Sequence, residues 1–408
     1  MTGVARQRWA VVFIFAFNGL LFGVWAGRIP AIKETFSLDS SSLGVLLLVL
    51  AGGAIVSFPV AGMLSEKLGV QKLTTICAWG YGPALVTVSL ASSLPTLAAA
   101  LFLFGMLHGA MDVAMNGWGA KVERRLCRSV MPFFHAMFSL GAGIGATTGY
   151  FAVRLEISTF THFSSISVLG AALTLAAIGK PQDERPRPTT ANQGASRFEW
   201  PPLTLLLVGL VAFSVSMGEG AMADWSAVFL KASTGTSEAQ AALGYAAFSA
   251  AMVATRLAGS RIVTSLGPAL TTRLSGGIAC AGLFLTVSSS TLGVSLIGFS
   301  LVGIGYAVVM PLVFARAAND ERIQPGHAIA AVSTLAYGGM LLGPPLVGFV
   351  ASFAGLHSAF LMLALLALLA VLLAPKLAVH TPSYGNTTHT SPDLEPENRA
   401  RRSATRAE

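Results

Sequence analysis

His108, Asp112 and Asn116 stand at i, i+4 and i+8, so a helix through them carries all three on one face. An imidazole and a carboxylate four residues apart form a pair that can bind and release a proton near neutral pH. The same trio could instead staple neighbouring helices together by hydrogen bonds, and Asn116 by itself fits a packing role. The surrounding stretch, 96–117, is apolar. An acid at the centre of such a helix in lipid costs about 2.5–3.5 kcal/mol on insertion scales, so Asp112 is predicted to face a bundle interior or a wet cavity.

Other polar residues interrupt apolar stretches in the same way. The first stretch holds Asn18 near its middle and Trp25 and Arg28 towards its end. Trp25 could stack on a solute and Arg28 could close an outer gate, or both could anchor the helix at the interface. Glu219 and Asp224 are the candidate acids for Arg28. Glu219 is expected in a central cavity and Asp224 at the gate; structural pairing is the alternative for each. Arg256 reads as an anchor or latch, and His135 as a loop-facing or capping histidine. Gly141, Gly143, Gly145 and Gly149 make a small-residue face for close helix approach, and Gly343-Pro344-Pro345 predicts a kink.

The elements that must position these groups follow from hydropathy. Apolar runs occur at 9–30, 41–64, 73–92, 96–117, 131–153, 162–179, 203–230, 239–263, 269–289, 291–314, 326–353 and 356–378. Each is long enough to cross a ~30 Å hydrocarbon core as a helix. Only helices satisfy the backbone there within one segment. Hydrophobic residues make up 54% and charged residues 11%, against roughly 25% charged in soluble domains. Of the 26 Lys and Arg, all but Arg28, Lys33, Arg154 and Lys231 fall on the side that holds the N-terminus. Basic loops stay in the cytoplasm, so both termini are expected inside a bacterial inner membrane. The +8 net charge is then a matter of topology and does not point to nucleic acid.

Cys77, Cys127 and Cys280 form no CxxC and no paired framework, so neither a disulfide nor a metal is expected. The run from Trp9 is too long for a signal-peptide core and is read as the first span. Residues 181–202 read as a cytoplasmic linker and 379–408 as a disordered cytoplasmic tail, in which Asn386-Thr387-Thr388 is a chance sequon. No Walker A loop, G-x-S-x-G or H-E-x-x-H is present, which speaks against ATP-driven pumping and common hydrolytic chemistry.

The chain repeats. Gly62 and Gly259 lie 197 positions apart, Gly105 and Gly303 198, Lys33 and Lys231 198, and Gly44 and Gly244 200. A duplicated six-helix unit is expected, with a bundle at 1–180 and another at 203–378, related by an axis along the membrane normal. The repeat places Tyr306 opposite His108, as a further cavity candidate, and Met310 opposite Asp112, so the proton chemistry is expected in the first half.

The turn after the second span reads Gly62-Met-Leu-Ser-Glu66-Lys67-Leu-Gly69-Val-Gln-Lys72. It resembles the signature loop of the major facilitator superfamily, G-x-x-x-D-R-x-G-x-x-K/R, with Glu66 for Asp and Lys67 for Arg. An ordinary basic turn is the alternative. The copy from Gly259 to Gly267 has no acid. With Trp25-Ala-Gly-Arg28-Ile-Pro30, Met111-Asp112-Val-Ala-Met-Asn116 and Phe134-His135-Ala, the chain resembles the MosC/YbjJ-type permeases of that superfamily, and more distantly the fucose–proton symporters. The resemblance implies two six-helix bundles and alternating access, with Gly62, Glu66, Lys67, Gly69 and Lys72 in conformational control. Fucose permeases carry an acid in span one and another in span four; this chain matches the second with Asp112 and has Asn18 nearest the first. The resemblance also implies a polyol-like solute. The expected function is proton-coupled transport of a small polar solute, as symport or antiport efflux, by a monomer without cofactors. A non-transporting membrane sensor or scaffold is the competing class.

Overall fold

The structure is a computed structural model that describes residues 3–126, 130–178, 201–320, 322–323 and 325–378. Cys127, most of the expected 181–202 linker and the 379–408 tail with its sequon lie outside the described residues.

Long apolar runs give long helices. In the first half these are α1 (Gly3–Thr35), α2 (Ser40–Leu68), α3 (Val70–Ser89), α4 (Leu94–Leu126), α5 (Met131–Arg154) and α6 (Thr159–Ile178). The second half holds α7 (Leu203–Thr234), α8 (Glu238–Val287), α9 (Leu292–Tyr306), α10 (Val309–Ala318) and α11 (Pro325–Leu373). Among the described residues nine helices are long and apolar enough to cross a membrane. Two of them are double crossings: α8 has a non-helical residue at Gly267 and α11 at Gly355. Splitting both, joining α9 to α10 and counting α3 recovers the twelve expected runs. Pro344 and Pro345 sit within the helical part of α11, and its non-helical residue is Gly355.

Short turns make successive crossings antiparallel. One end of the array, here the N-face, holds the start of α1 and the α2–α3 and α4–α5 turns; the opposite end is the far face. Local chemistry fixes several turns. The Asp39 carboxylate accepts from the Ser42 N–H at 2.7 Å and caps α2. That hydrogen bond holds its pKa below the ordinary carboxylate value. Ser237 and Gln240 close a capping box at the start of α8. At the N-face, Glu123 Oε2 accepts from the N–H groups of Val130 and Met131 at 2.6 and 2.7 Å, which satisfies orphan donors at the start of α5.

The duplication seen in sequence is also a duplication of contacts. A Cβ on Gly105 of α4 would collide with the Leu50 carbonyl oxygen of α2, and a Cβ on Gly303 of α9 with that of Phe248 of α8. Both members of the second pair lie 198 positions after those of the first. Gly69 and Gly267, again 198 apart, both turn the chain with positive φ, 82° and 73°, a conformation that glycine adopts without strain. The packing therefore repeats at this crossing and at this turn, with helices close enough for backbone contact.

The outward surface is apolar. Phe353 is 89% exposed, Val168 71% and Trp79 65%, which suits lipid and not water. Trp25, Trp118, Trp225, Tyr81 and Tyr306 are buried within the array.

Candidate functional site

Three helices of the first half converge on one imidazole. His108 Nδ1 of α4 lies 2.8 Å from Asn18 Oδ1 of α1 and 2.9 Å from the Tyr81 hydroxyl of α3. Asn18 also donates from Nδ2 to Met115 Sδ at 3.4 Å. With this amide orientation, Asn18 Oδ1 can only accept, so Nδ1 carries the proton of the neutral ring and Nε2 keeps a lone pair. Phe22 stacks on the ring with centroids 5.0 Å apart. The expected polar trio on α4 is therefore divided. His108 bonds to Asn18 and Tyr81, whereas the Asp112 carboxylate accepts from Asn116 Nδ2 at 3.0 Å. Asn116 also donates to the Asp112 carbonyl at 2.9 Å. Asp112 is partly exposed despite its place deep in α4, and it lies within electrostatic reach of Tyr81 and of Tyr337 on α11.

His108 borders a cavity of about 50 Å³ walled by both halves of the chain. Phe22 of α1, Leu50 and Phe58 of α2, Asp224 of α7, and Tyr337 and Met340 of α11 share it. A volume of this size holds a few waters, so an organic solute requires the halves to separate further. Asp224 is only 8% exposed. It was expected at a gate facing Arg28, and the structure puts it on the cavity wall instead.

Glu219, expected in the cavity, faces Arg256 of α8 at 3.6 Å. Arg256 also donates to Ser139 Oγ of α5 at 2.6 Å and to the Ala307 carbonyl at 3.2 Å. It thus ties the second half to the first. His135 sets its ring edge against Phe15 at 5.3 Å, and its carbonyl accepts from Arg256 at 3.5 Å.

At the far face, Arg28 pairs with Glu238 at 3.4 Å and donates to Thr159 Oγ1 at 2.8 Å. The acid that meets Arg28 is therefore the one that opens α8; neither Glu219 nor Asp224 pairs with it. Lys231 of α7 pairs with Glu34 of α1. Both ion pairs join the two halves. Close by, a Cβ on Gly348 of α11 would meet the Ser40 carbonyl of α2 at 2.6 Å. Among the described residues no cluster of three or more His, Cys, Asp or Glu is placed to hold a metal.

The family model of the Major Facilitator Superfamily matches residues 11–320. The chain belongs to the major facilitator superfamily. It is 43% identical over 366 residues to the uncharacterized transporter y4wD of Sinorhizobium fredii, covering 89% of this chain and 96% of that relative. An uncharacterized MFS-type transporter of Yersinia pestis is 34% identical, with 87% and 91% covered. The membrane protein MosC of Rhizobium meliloti is 31% identical, with 87% and 86% covered. Among solved structures, a point variant of the nucleoside transporter NupG aligns with a TM-score of 0.70 at 14% identity, covering 90% of this chain and 98% of that one. A bacterial homologue of the human lysosomal transporter Spinster, inward-facing and occupied, gives 0.67 at 15%, covering 90% and 94%. The fold is the major facilitator fold, and the MosC-type branch expected from the sequence agrees with these relatives.

Within this superfamily member the signature turn divides by role. Gly69 makes the turn, but a Cβ on Gly62 would meet open space. Glu66, Lys67 and Lys72 are exposed, and among the described residues no hydrogen bond or ion pair engages Glu66. Trp25 is fully buried 6.4 Å from Phe104 and lines no part of the cavity, so it is not an interfacial anchor. Tyr306 is buried against Gly218. Residues not singled out from the sequence include Tyr81, Glu238, Tyr337 and Phe22. For Glu238 a signal existed: it follows Ser237 in a capping box, at the far-face start of a span.

Proposed function

We propose that this superfamily member is a proton-coupled secondary transporter of a small organic solute. It works in the bacterial inner membrane with the N-face in the cytoplasm and both termini there. The halves 1–180 and 203–378 rock about the cavity between them. The carrying observation is Asp112: a carboxylate deep in α4, partly exposed, held by Asn116 and joined to no basic residue among the described residues. An ionisable group inside a membrane span marks a functional site by default, and the partial exposure of Asp112 gives its carboxylate the water contact that proton exchange needs. The far-face pairs Arg28–Glu238 and Glu34–Lys231 support a state shut to the outside, from which Asp112 exchanges protons with the cytoplasm.

Coupling then needs only differential binding: a proton on Asp112 must favour one orientation of the halves over the other. The polyol-like solute implied by the resemblance is the first to try. Uptake by symport and efflux by antiport use the same parts, and the sign of flux separates them. The test is flux in proteoliposomes loaded with a solute panel under an imposed pH gradient. Gradient-driven accumulation or depletion of a solute supports the reading. Flux indifferent to the gradient removes proton coupling, and no flux of any solute favours the sensor or scaffold class.

A further inference from the structure

Resting on the transporter reading, we propose that the central cavity recognises an amphipathic organic cation, with Asp224 as its counter-ion and His108 Nε2 as a second acceptor. Asp224 is more than nine-tenths buried and lines the cavity. The neighbouring cations are engaged elsewhere: Arg28 with Glu238, Lys231 with Glu34 and Arg256 with Glu219. Among the described residues no hydrogen bond or ion pair joins Asp224 to any group. A buried carboxylate of this kind is expensive unless something positive meets it, and the open side of Asp224 is the cavity.

The opposite wall makes the same demand. His108 commits Nδ1 to Asn18 and Tyr81, so the neutral ring offers the cavity a lone pair on Nε2. Both polar groups named here therefore accept, and both want a donor. Between them the lining is apolar and aromatic. Phe22 stacks on His108, and Phe58 and Tyr337 lie 5.2 Å apart across the two halves. Aromatic faces of this kind attract a cation. A polyol would leave several hydroxyls facing hydrocarbon without partners, and an anion would be repelled by Asp224. Once the halves separate enough to admit it, a protonated amine on an apolar body supplies both the charge and the donors that these walls lack. This ligand class differs from the polyol-like solute implied by resemblance.

Equilibrium binding to the purified full-length protein in nanodiscs tests this without any gradient. The probe is radiolabelled 2-phenylethylamine, with benzylamine, 2-phenylethanol and myo-inositol as competitors. Saturable amine binding is expected, competed by benzylamine and not by myo-inositol. Asp224→Asn is expected to weaken the amine about tenfold or more while 2-phenylethanol competes as weakly as before. Ala51→Trp, which fills the wall and keeps Asp224, is expected to abolish binding and serves if the Asn variant does not fold. The proposal is overturned by absence of saturable amine binding, by wild-type affinity in either folded variant, or by competition from myo-inositol. Amine binding without flux in proteoliposomes would remove the transport reading and leave the site. Gradient-driven inositol flux without amine binding would do the reverse.

Discussion

Arg28 and Glu238 meet at 3.4 Å across the two halves of the chain, with side chains 7% and 21% exposed. Surface pairs contribute about 0–1 kcal/mol, whereas breaking a fully buried pair costs about 3–5 kcal/mol. This pair falls between those limits. Glu238→Gln should shift the balance toward an outward-open state by about 1–3 kcal/mol, roughly 5–150-fold. A cysteine placed at Ala232, which lines the far-face cleft with Glu34 and Lys231, reports this as faster labelling by an impermeant thiol reagent. The reversed pair Arg28→Glu with Glu238→Arg should restore slow labelling. Unchanged labelling in Glu238→Gln would show that the pair is not a latch.

Asp112→Asn keeps the shape and the hydrogen bond with Asn116 but cannot release a proton. Solute movement driven by a pH gradient should fall by about tenfold or more, the effect of roughly 1.4 kcal/mol. Exchange of labelled for unlabelled solute at equal pH should persist, because it requires rocking alone. If both assays fall together in a folded protein, Asp112 binds solute or supports structure. If neither falls, the proton site lies elsewhere.

The fold was legible because its main determinant is one-dimensional. Span length is set by bilayer thickness and needs no tertiary information. The offset between Gly105 and Gly303 was legible too, since close crossings admit no side chain and leave a glycine in the sequence. The partners were not legible. Sequence spacing joins His108 to Asp112, yet on a helix a residue also faces whatever neighbour packs there. For His108 these are Asn18 and Tyr81, 90 and 27 positions away. Asp224 on the cavity wall and Glu219 beside Arg256 depart from their expected places for the same reason. Five residues is a rotation of well over a full turn, and which face meets the other half depends on the crossing of α7 with α8 and α11.

Helix crossings give a sharper structural test. Gly303→Leu drives a side chain into the Phe248 carbonyl, and Gly105→Leu does the same at Leu50. Overpacking of this kind costs about 1–3 kcal/mol, more where backbone must move. Each should lower the melting temperature in detergent by several degrees. Gly52→Leu, at a position where a Cβ meets nothing within 4 Å, should leave it nearly unchanged. An equal loss at Gly52 would show that the crossing does not set it, because replacing a helical glycine by itself stabilises through the unfolded chain.

Glu123 supplies a cap that spacing alone does not announce, because it reaches from α4 to donors at the start of α5. Glu123→Ala should destabilise by about 1–2 kcal/mol, as cap removal does elsewhere. Glu123→Gln keeps an acceptor oxygen and should lose less. Thermal stability followed by the fluorescence of the six tryptophans separates the two. If Gln and Ala cost the same, the carboxylate charge near the helix start matters more than the hydrogen bonds.

Asp39 gives the pH dependence with the plainest sign. Its pKa is held below the ordinary carboxylate value by the Ser42 hydrogen bond, so the charged form is favoured in the folded state. A depressed folded pKa contributes stability that is complete above the unfolded value and lost as pH falls through the folded one. The first turn of α2 should therefore keep its amide protection at neutral pH and lose it as pH drops below about 4, the ordinary aspartate value. Asp39→Asn still caps through its amide oxygen and should show protection that no longer follows pH in this window. Asp39→Ala should leave the Ser42 amide unprotected throughout. Hydrogen exchange at Ser42, read by mass spectrometry on the α1–α2 peptide, distinguishes the three. A pH-dependent loss that survives in the Asn variant would assign the titration to another group.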